Sequence, residues 1–255
     1  MREICLVLLF LMALGQGSLF AQLAPPRIGY VSDSTGALRP VFGVSGNFLL
    51  GEPLADSVVS AGFSGTFSFF KTDTTLSIVD GAVTTDFPSS DGPAIFSFSE
   101  HAGFVYSFSG RTLQRWDGAN LADVPLDFFP GDVLALAQPD LNRVWLAVRQ
   151  SDAQVYLLLF DGVTGTLQSS ARLTGASGNL ALLNDQEFLY GNASGLVLHR
   201  DSGIEITLSL SLVGDVHFER IGAFWWSVRD DAGQHFAVRT EPGREGVFQL
   251  PENTQ

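Results

Sequence analysis

Short apolar runs closed by turns containing Asp and Gly recur along this chain at nearly even intervals, and that recurrence restricts the fold more than any other feature. The turns are Tyr30-Val31-Ser32-Asp33 to Gly36, Ile78-Val79-Asp80-Gly81, Arg115-Trp116-Asp117-Gly118, Leu159-Phe160-Asp161-Gly162 and His199-Arg200-Asp201 to Gly203, with a degenerate copy at Thr240 to Gly243. Their aspartates stand 47, 37, 44 and 40 residues apart, and Glu241 follows Asp201 by another 40. About 40–45 residues is what four antiparallel strands and their turns need, which is the unit of a propeller blade.

Within each interval the apolar residues keep a period of two, the sign of strands. Ile204, Ile206, Leu208, Leu210 and Leu212 alternate with Glu205, Thr207, Ser209 and Ser211, so one face is expected to be buried and the other wet. Phe104, Tyr106 and Phe108 alternate in the same way, whereas Val144 to Val148 and Val155 to Phe160 are apolar on both faces and read as inner strands. No twelve-residue stretch carries a helical stripe, so the fold class is all-β. The units divide at about Asp56 to Pro88, Pro93 to Asp127, Gly131 to Leu173, Asn179 to Leu212 and Asp215 to Pro251, each with four strands. Ile28 to Val44 remains as an extra hairpin ahead of the first unit. The expectation is a propeller of five four-stranded blades plus an N-terminal closing hairpin, or six blades of which one is incomplete.

Met1 to Ala21 has the form of a secretory leader: a charged start with Arg2, an apolar run from Ile4 to Leu14, then small residues. The run makes about 16 Å of helix, about half a bilayer core, so no membrane span is expected. Cleavage after Ala21 is favoured over Gly17, leaving residues 22–255 as one propeller domain outside the cytoplasm, in the periplasm or beyond it. The chain's single cysteine, Cys5, leaves with the leader. That removes disulfides, a cysteine nucleophile and cysteine-bound metal from the mature protein. The chain has 27 acidic against 14 basic residues, Lys71 is its only lysine, and its formal charge is -13. Nucleic acid and anionic membrane surfaces, which need clustered Lys and Arg, are poor partners for such a chain.

With the turns Asp33-Ser34-Thr35-Gly36 and Asp161-Gly162-Val163-Thr164-Gly165 closing its repeats, the chain resembles secreted bacterial β-propellers of the broad WD40-like and quinoprotein-like superfamily. The resemblance implies the fold. It implies no cofactor, because Leu38 and Leu167 follow the turns without the tryptophan that docks there in quinoprotein repeats, and the adjacent cysteine pair of many quinone-binding dehydrogenases is absent.

Motifs for chemistry are missing. No Gly-x-Ser-x-Gly elbow occurs, and Gly43 to Gly46, Gly62 to Gly65 and Gly175 to Gly178 read as connections of inner strands. His101, His199, His217 and His235 lack metal-ligand spacing, and no metal site is expected. Asp33, Asp80, Asp117, Asp161 and Asp201 read as turn caps, which leaves Glu100, Glu187 and Glu219 as the first carboxylates to consider for acid or base work. Asn192-Ala193-Ser194 is a glycosylation sequon suited to an exposed turn. Trp116 and Trp145 are expected to wedge between blades, and Trp225 and Trp226, on opposite faces of one strand, are the candidate binding aromatics. Repeats without a catalytic signature point to a noncatalytic, monomeric binder of a protein or glycan, and the alternative is a glycan hydrolase or lyase with carboxylates near the axis.

Overall fold

The computed structural model describes residues 25–64, 67–99, 102–126, 131–176, 178–192 and 194–251. The leader, Cys5, Glu100 and His101 lie outside them. The described chain forms 23 strands in six antiparallel sheets, each built from consecutive strands. Sheet 1 has three strands, β1 (Arg27–Ser32), β2 (Leu38–Val44) and β3 (Asn47–Leu50). Sheet 2 holds β4 (Ser60–Phe63), β5 (Phe67–Lys71), β6 (Thr75–Asp80) and β7 (Val83–Pro88), and sheet 3 holds β8 (Ala94–Phe98), β9 (Gly103–Ser107), β10 (Thr112–Trp116) and β11 (Leu121–Asp123). Sheet 4 runs β12 (Asp132–Asp140), β13 (Arg143–Arg149), β14 (Val155–Asp161), β15 (Leu167–Arg172), and sheet 5 runs β16 (Leu180–Leu182), β17 (Phe188–Asn192), β18 (Gly195–His199), β19 (Glu205–Ser209). Sheet 6 closes the series with β20 (Val216–Arg220), β21 (Trp225–Asp230), β22 (His235–Arg239) and β23 (Gly246–Gln249).

These are the blades of a six-bladed β-propeller with an incomplete first blade, the second of the two blade counts expected. The hairpin at the amino-terminal end does not close the ring by strand exchange. Its two strands form a sheet of their own in which β2 pairs with β3, and sheet 6 is made wholly from the carboxy-terminal end. Closure comes from packing. Six apolar clusters fill the six junctions between neighbouring sheets, among them Val144, Leu146, Val148 and Phe160 with Phe104 and Tyr106 between sheets 3 and 4, and Val31, Val41 and Phe48 with Ile221 and Ala237 between sheets 1 and 6.

Burial falls from the second and third strands of each four-stranded blade to the fourth. In sheet 4, β13 and β14 are buried on both faces as their sequences predict, while β15 is exposed along most of its length. β9 differs from the expected pattern. Phe104 and Tyr106 alternate, but no face is wet, because Val105 packs into the next junction on the other side. A strand between two neighbouring blades has two buried faces. β19 does alternate, with Ile206 and Leu208 turned inward, and ends at Ser209.

The innermost strands β4, β8, β12, β16 and β20 follow one another around the axis, and β20 touches β4 directly. Sheet 1 contributes no innermost strand. β1 stands behind that last contact, against β4 and β21. The backbones meet there so closely that a Cβ on Gly29 would lie 1.5 Å from the Ile221 carbonyl oxygen, and one on Gly222 would lie 2.4 Å from that of Ile28. Only glycine permits the approach.

Candidate functional site: the axial cavity

At the end of the axis where the innermost strands begin, the ring opens into a cavity of about 530 Å³ lined by all six sheets. Its wall is divided. Sheets 3, 4 and 5 contribute Ile95, Leu134 and Leu180, with Phe218 beside them, whereas sheets 1, 2 and 6 contribute Asp33, Ser60, Glu219, Ser227 and Arg229. Farther in, the axis narrows to a gap of about 40 Å³ between Ala61, Ala135, Leu136 and Ala181, and Glu219 borders both spaces.

The polar half follows from strand period and register. In β20, Val216 and Phe218 turn toward sheet 5, which leaves His217 and Glu219 on the opposite face. Glu219 pairs with Ser227 and His217 with Arg229 on β21, and Arg229 pairs in turn with His235 on β22. One face of sheet 6 therefore presents five polar side chains in adjoining cross-strand rows. They look toward sheet 1, where the ring has no innermost strand to cover them.

Each group has a different environment. Glu219 is enclosed by protein, although part of its surface opens on the cavity. Burial pushes its carboxyl up to about 7, against the opposing effects of Arg229 and of the Ala61 N–H that donates to it. Arg229 donates to the Ser32 carbonyl, tying sheet 6 to sheet 1. Ser227 Oγ lies 2.6 Å from His235 Nε2. Burial, followed by the Arg229 charge, pushes His235 down to about 3, so the ring is neutral. Asp33 is the second carboxylate at the cavity. Its oxygens accept from Thr35 N at 2.8 Å, Thr35 Oγ1 at 2.6 Å, Ala37 N at 3.0 Å and Arg39 Nε at 2.6 Å. Burial raises its pKa, but those bonds prevail and hold it well below the usual carboxylate range. His217 is exposed at the rim, 3.9 Å from Asp231.

A second cavity, of about 240 Å³, opens toward the other end of the axis between sheets 5 and 6. Arg200 is buried there between Glu187 at 3.2 Å and Glu245 at 2.7 Å. Arg220, on the face of β20 opposite Glu219, donates to the Gly222 and Ala223 carbonyls at 3.3 and 3.4 Å.

The structure separates the residues singled out in the sequence. Trp226 is buried among the apolar residues of the junction between sheets 5 and 6 and also borders the second cavity. Trp225 is half-buried against sheet 1, edge-on to Phe48 at 5.6 Å and with the Arg239 guanidinium 5.6 Å from its ring centre. Trp116 packs on Phe67 and Phe69. Glu187 reaches the second cavity, and His199 stacks on Phe188 away from both. Asp117 and Asp161 cap their own turns. Glu219, His217 and His235 do converge. The sequence reading missed Ser227 and Arg229, whose signal was present: two polar residues at alternate positions of a second strand, where the second strand of sheet 4 is apolar on both faces from Val144 to Val148. Among the described residues no cluster of three His, Cys, Asp or Glu side chains suited to a metal ion occurs, and no helix is long and apolar enough to cross a membrane.

No family model and no curated protein matches the chain. Solved structures match its fold. A chain of a nidogen–laminin complex superposes with a TM-score of 0.54 over 89% of this chain and 99% of its own length, at 10% identity. The Pan2 WD40 domain of Neurospora crassa superposes with a TM-score of 0.44 over 91% and 82%, at 12% identity. Likeness at this level is a likeness of fold, and it places the chain among β-propellers.

Proposed function

We propose that this chain is an exported, noncatalytic bacterial propeller that acts as a monomer and takes part of a partner protein into the axial cavity. Its leader, Met1–Ala21, carries it to the periplasm or out of the cell. The observation that carries the reading is the composition of the cavity wall: six sheets converge on one concavity, half aliphatic and half polar, while the side chains that hydrolysis would need are otherwise engaged. A two-carboxylate mechanism requires a free partner for Glu219, and the oxygens of Asp33 already accept four hydrogen bonds. The Ser227–His235 pair has nucleophile-and-base spacing, but a base must hold the proton it takes, and burial beside Arg229 opposes the imidazolium. The nidogen–laminin chain belongs to a complex of two proteins, in keeping with partner binding on this fold.

A glycan partner is the second reading, and it belongs to the other end of the axis. There Trp226 borders the second cavity beside Phe224, an exposed ring, and aromatic faces suit sugars. To test the first reading, proteins from the native secretome are passed over the immobilised chain and over a Leu134→Trp variant that plugs the axial cavity. Retention of a partner by the first and its loss from the second is the expected result. Saturable glycan or ester hydrolysis abolished by Glu219→Gln would overturn it.

A further inference from the structure

Building on the cavity reading, we infer that the axial cavity recognises an ammonium group carried on an apolar stem, which Glu219 receives at the foot of the cavity. The group is a lysine side chain or a free amino terminus of the partner protein.

Position supplies the first argument. Glu219 stands where the cavity narrows, bordering both the wide space and the gap below it. A ligand reaching it passes between Ile95, Leu134 and Leu180, which suit methylene groups. The gap beyond, of about 40 Å³, stops anything larger than a small head group.

Charge supplies the second. Glu219 has the Ala61 N–H as a donor, whereas the Arg229 guanidinium is turned toward the Ser32 carbonyl. The second carboxylate at the cavity, Asp33, has its own cation in Arg39 at 2.6 Å. Arg229 acts on Glu219 only through space, and an enclosed carboxylate with no cation in ion-pair contact lacks what an ammonium ion supplies, three donors and a directly paired charge. At longer range the chain's formal charge of -13 favours the approach of cationic partners.

The missing innermost strand of sheet 1 makes the site possible. A strand in that position would cover the face of sheet 6 that carries Glu219, Ser227 and Arg229. Its absence leaves a polar slot against an apolar half-ring, a shape that takes a head group and its stem together.

Isothermal titration of the full chain with three probes separates the sources of the amine. N-acetyl-lysine methylamide carries the side-chain amine, leucinamide carries the terminal amine, and N-acetyl-leucinamide carries neither. At least one amine probe is expected to bind saturably and about tenfold more tightly than the acetylated control, and Glu219→Gln is expected to erase that difference. On the unaltered chain, saturation with the amine probe lowers the titration midpoint of the Glu219 carboxyl carbon followed by NMR, a readout that does not depend on whether the variant folds. Equal binding of all three probes that disappears in Leu134→Trp would sink the ammonium inference and leave the cavity reading standing. Binding of no probe, with partner retention indifferent to Leu134→Trp, would sink both.

Discussion

The junction between sheets 3 and 4 and the junction between sheets 6 and 1 are built from the same elements to opposite ends. In the first, Val144, Leu146 and Val148 on β13 interlock with Phe104 and Tyr106 on β9, and the interface is dry. In the second, β21 occupies the rank that β13 holds in its blade, yet Ser227 and Arg229 stand among its inward positions. Farther along, the same face turns apolar again, with Trp225, Ile221 and Ala237 packing on Val31 and Phe48. Polarity is thus confined to the segment where sheet 1 provides no innermost strand. A buried position tolerates ionisable groups when the strand that would desolvate them fully is absent.

The largest expected effect lies on the dry side. Phe160→Ala empties a fully buried site, and about 3–5 kcal/mol of stability should be lost in denaturant unfolding. Ser227→Ala at the open junction should cost far less. A comparable loss at both sites would erase the contrast.

The second test uses pH. His235 resists protonation in the folded chain, so its contribution is present above about 6.5, the value of a free histidine, and is lost as pH falls toward about 3. Glu219 has the opposite sign. Its raised carboxyl favours folding below the free value of 4.5, and the advantage is lost as pH rises through about 7. Between 4.5 and 6.5 the two slopes oppose each other, so stability there should be nearly flat. In Glu219→Gln the His235 slope should appear unmasked, and above pH 7 the variant should gain about 3 kcal/mol over the parent. Urea midpoints across pH 4–8 measure both. A flat profile retained in Glu219→Gln would mean that Glu219 is well solvated and that the cavity is not enclosed at its foot.

The sequence made the ring legible but not its defect. Turn spacing located the five complete blades, because Gly and Asp at turns and two-residue alternation are local signals. Whether Ile28 to Val44 joined another blade or formed its own depended on β3 and on the approach of Gly29 to Ile221, which are long-range facts. The site was half legible. Glu219 stood out as a carboxylate away from a turn, and His217 and His235 as partners of no motif. That they share a face with Ser227 and Arg229 is a matter of register between strands, which no linear scan supplies. Trp225 and Trp226 were legible as opposite faces of one strand, but not which neighbours those faces meet.

The smallest expected effects come from one residue type at matching places. Arg149 pairs across the ladder with Asp132 near the outer end of β13, as Arg229 pairs with His217 on β21. Arg149 lies 3.5 Å from the Asp132 carboxylate, with both side chains well exposed at 41% and 66%. Water screens such a pair, so Arg149→Met should change stability by less than about 0.5 kcal/mol. Arg229 instead donates to a carbonyl of the neighbouring sheet from inside the cavity wall. Arg229→Met should cost about 2 kcal/mol, the range for a bond from a charged donor. It should also raise the Glu219 midpoint further, because Arg229 is the charge that lowers it. A carboxyl-carbon titration that leaves Glu219 unmoved in Arg229→Met would detach the two residues from each other, and the open junction would then hold a lone carboxylate and a structural tie rather than one site.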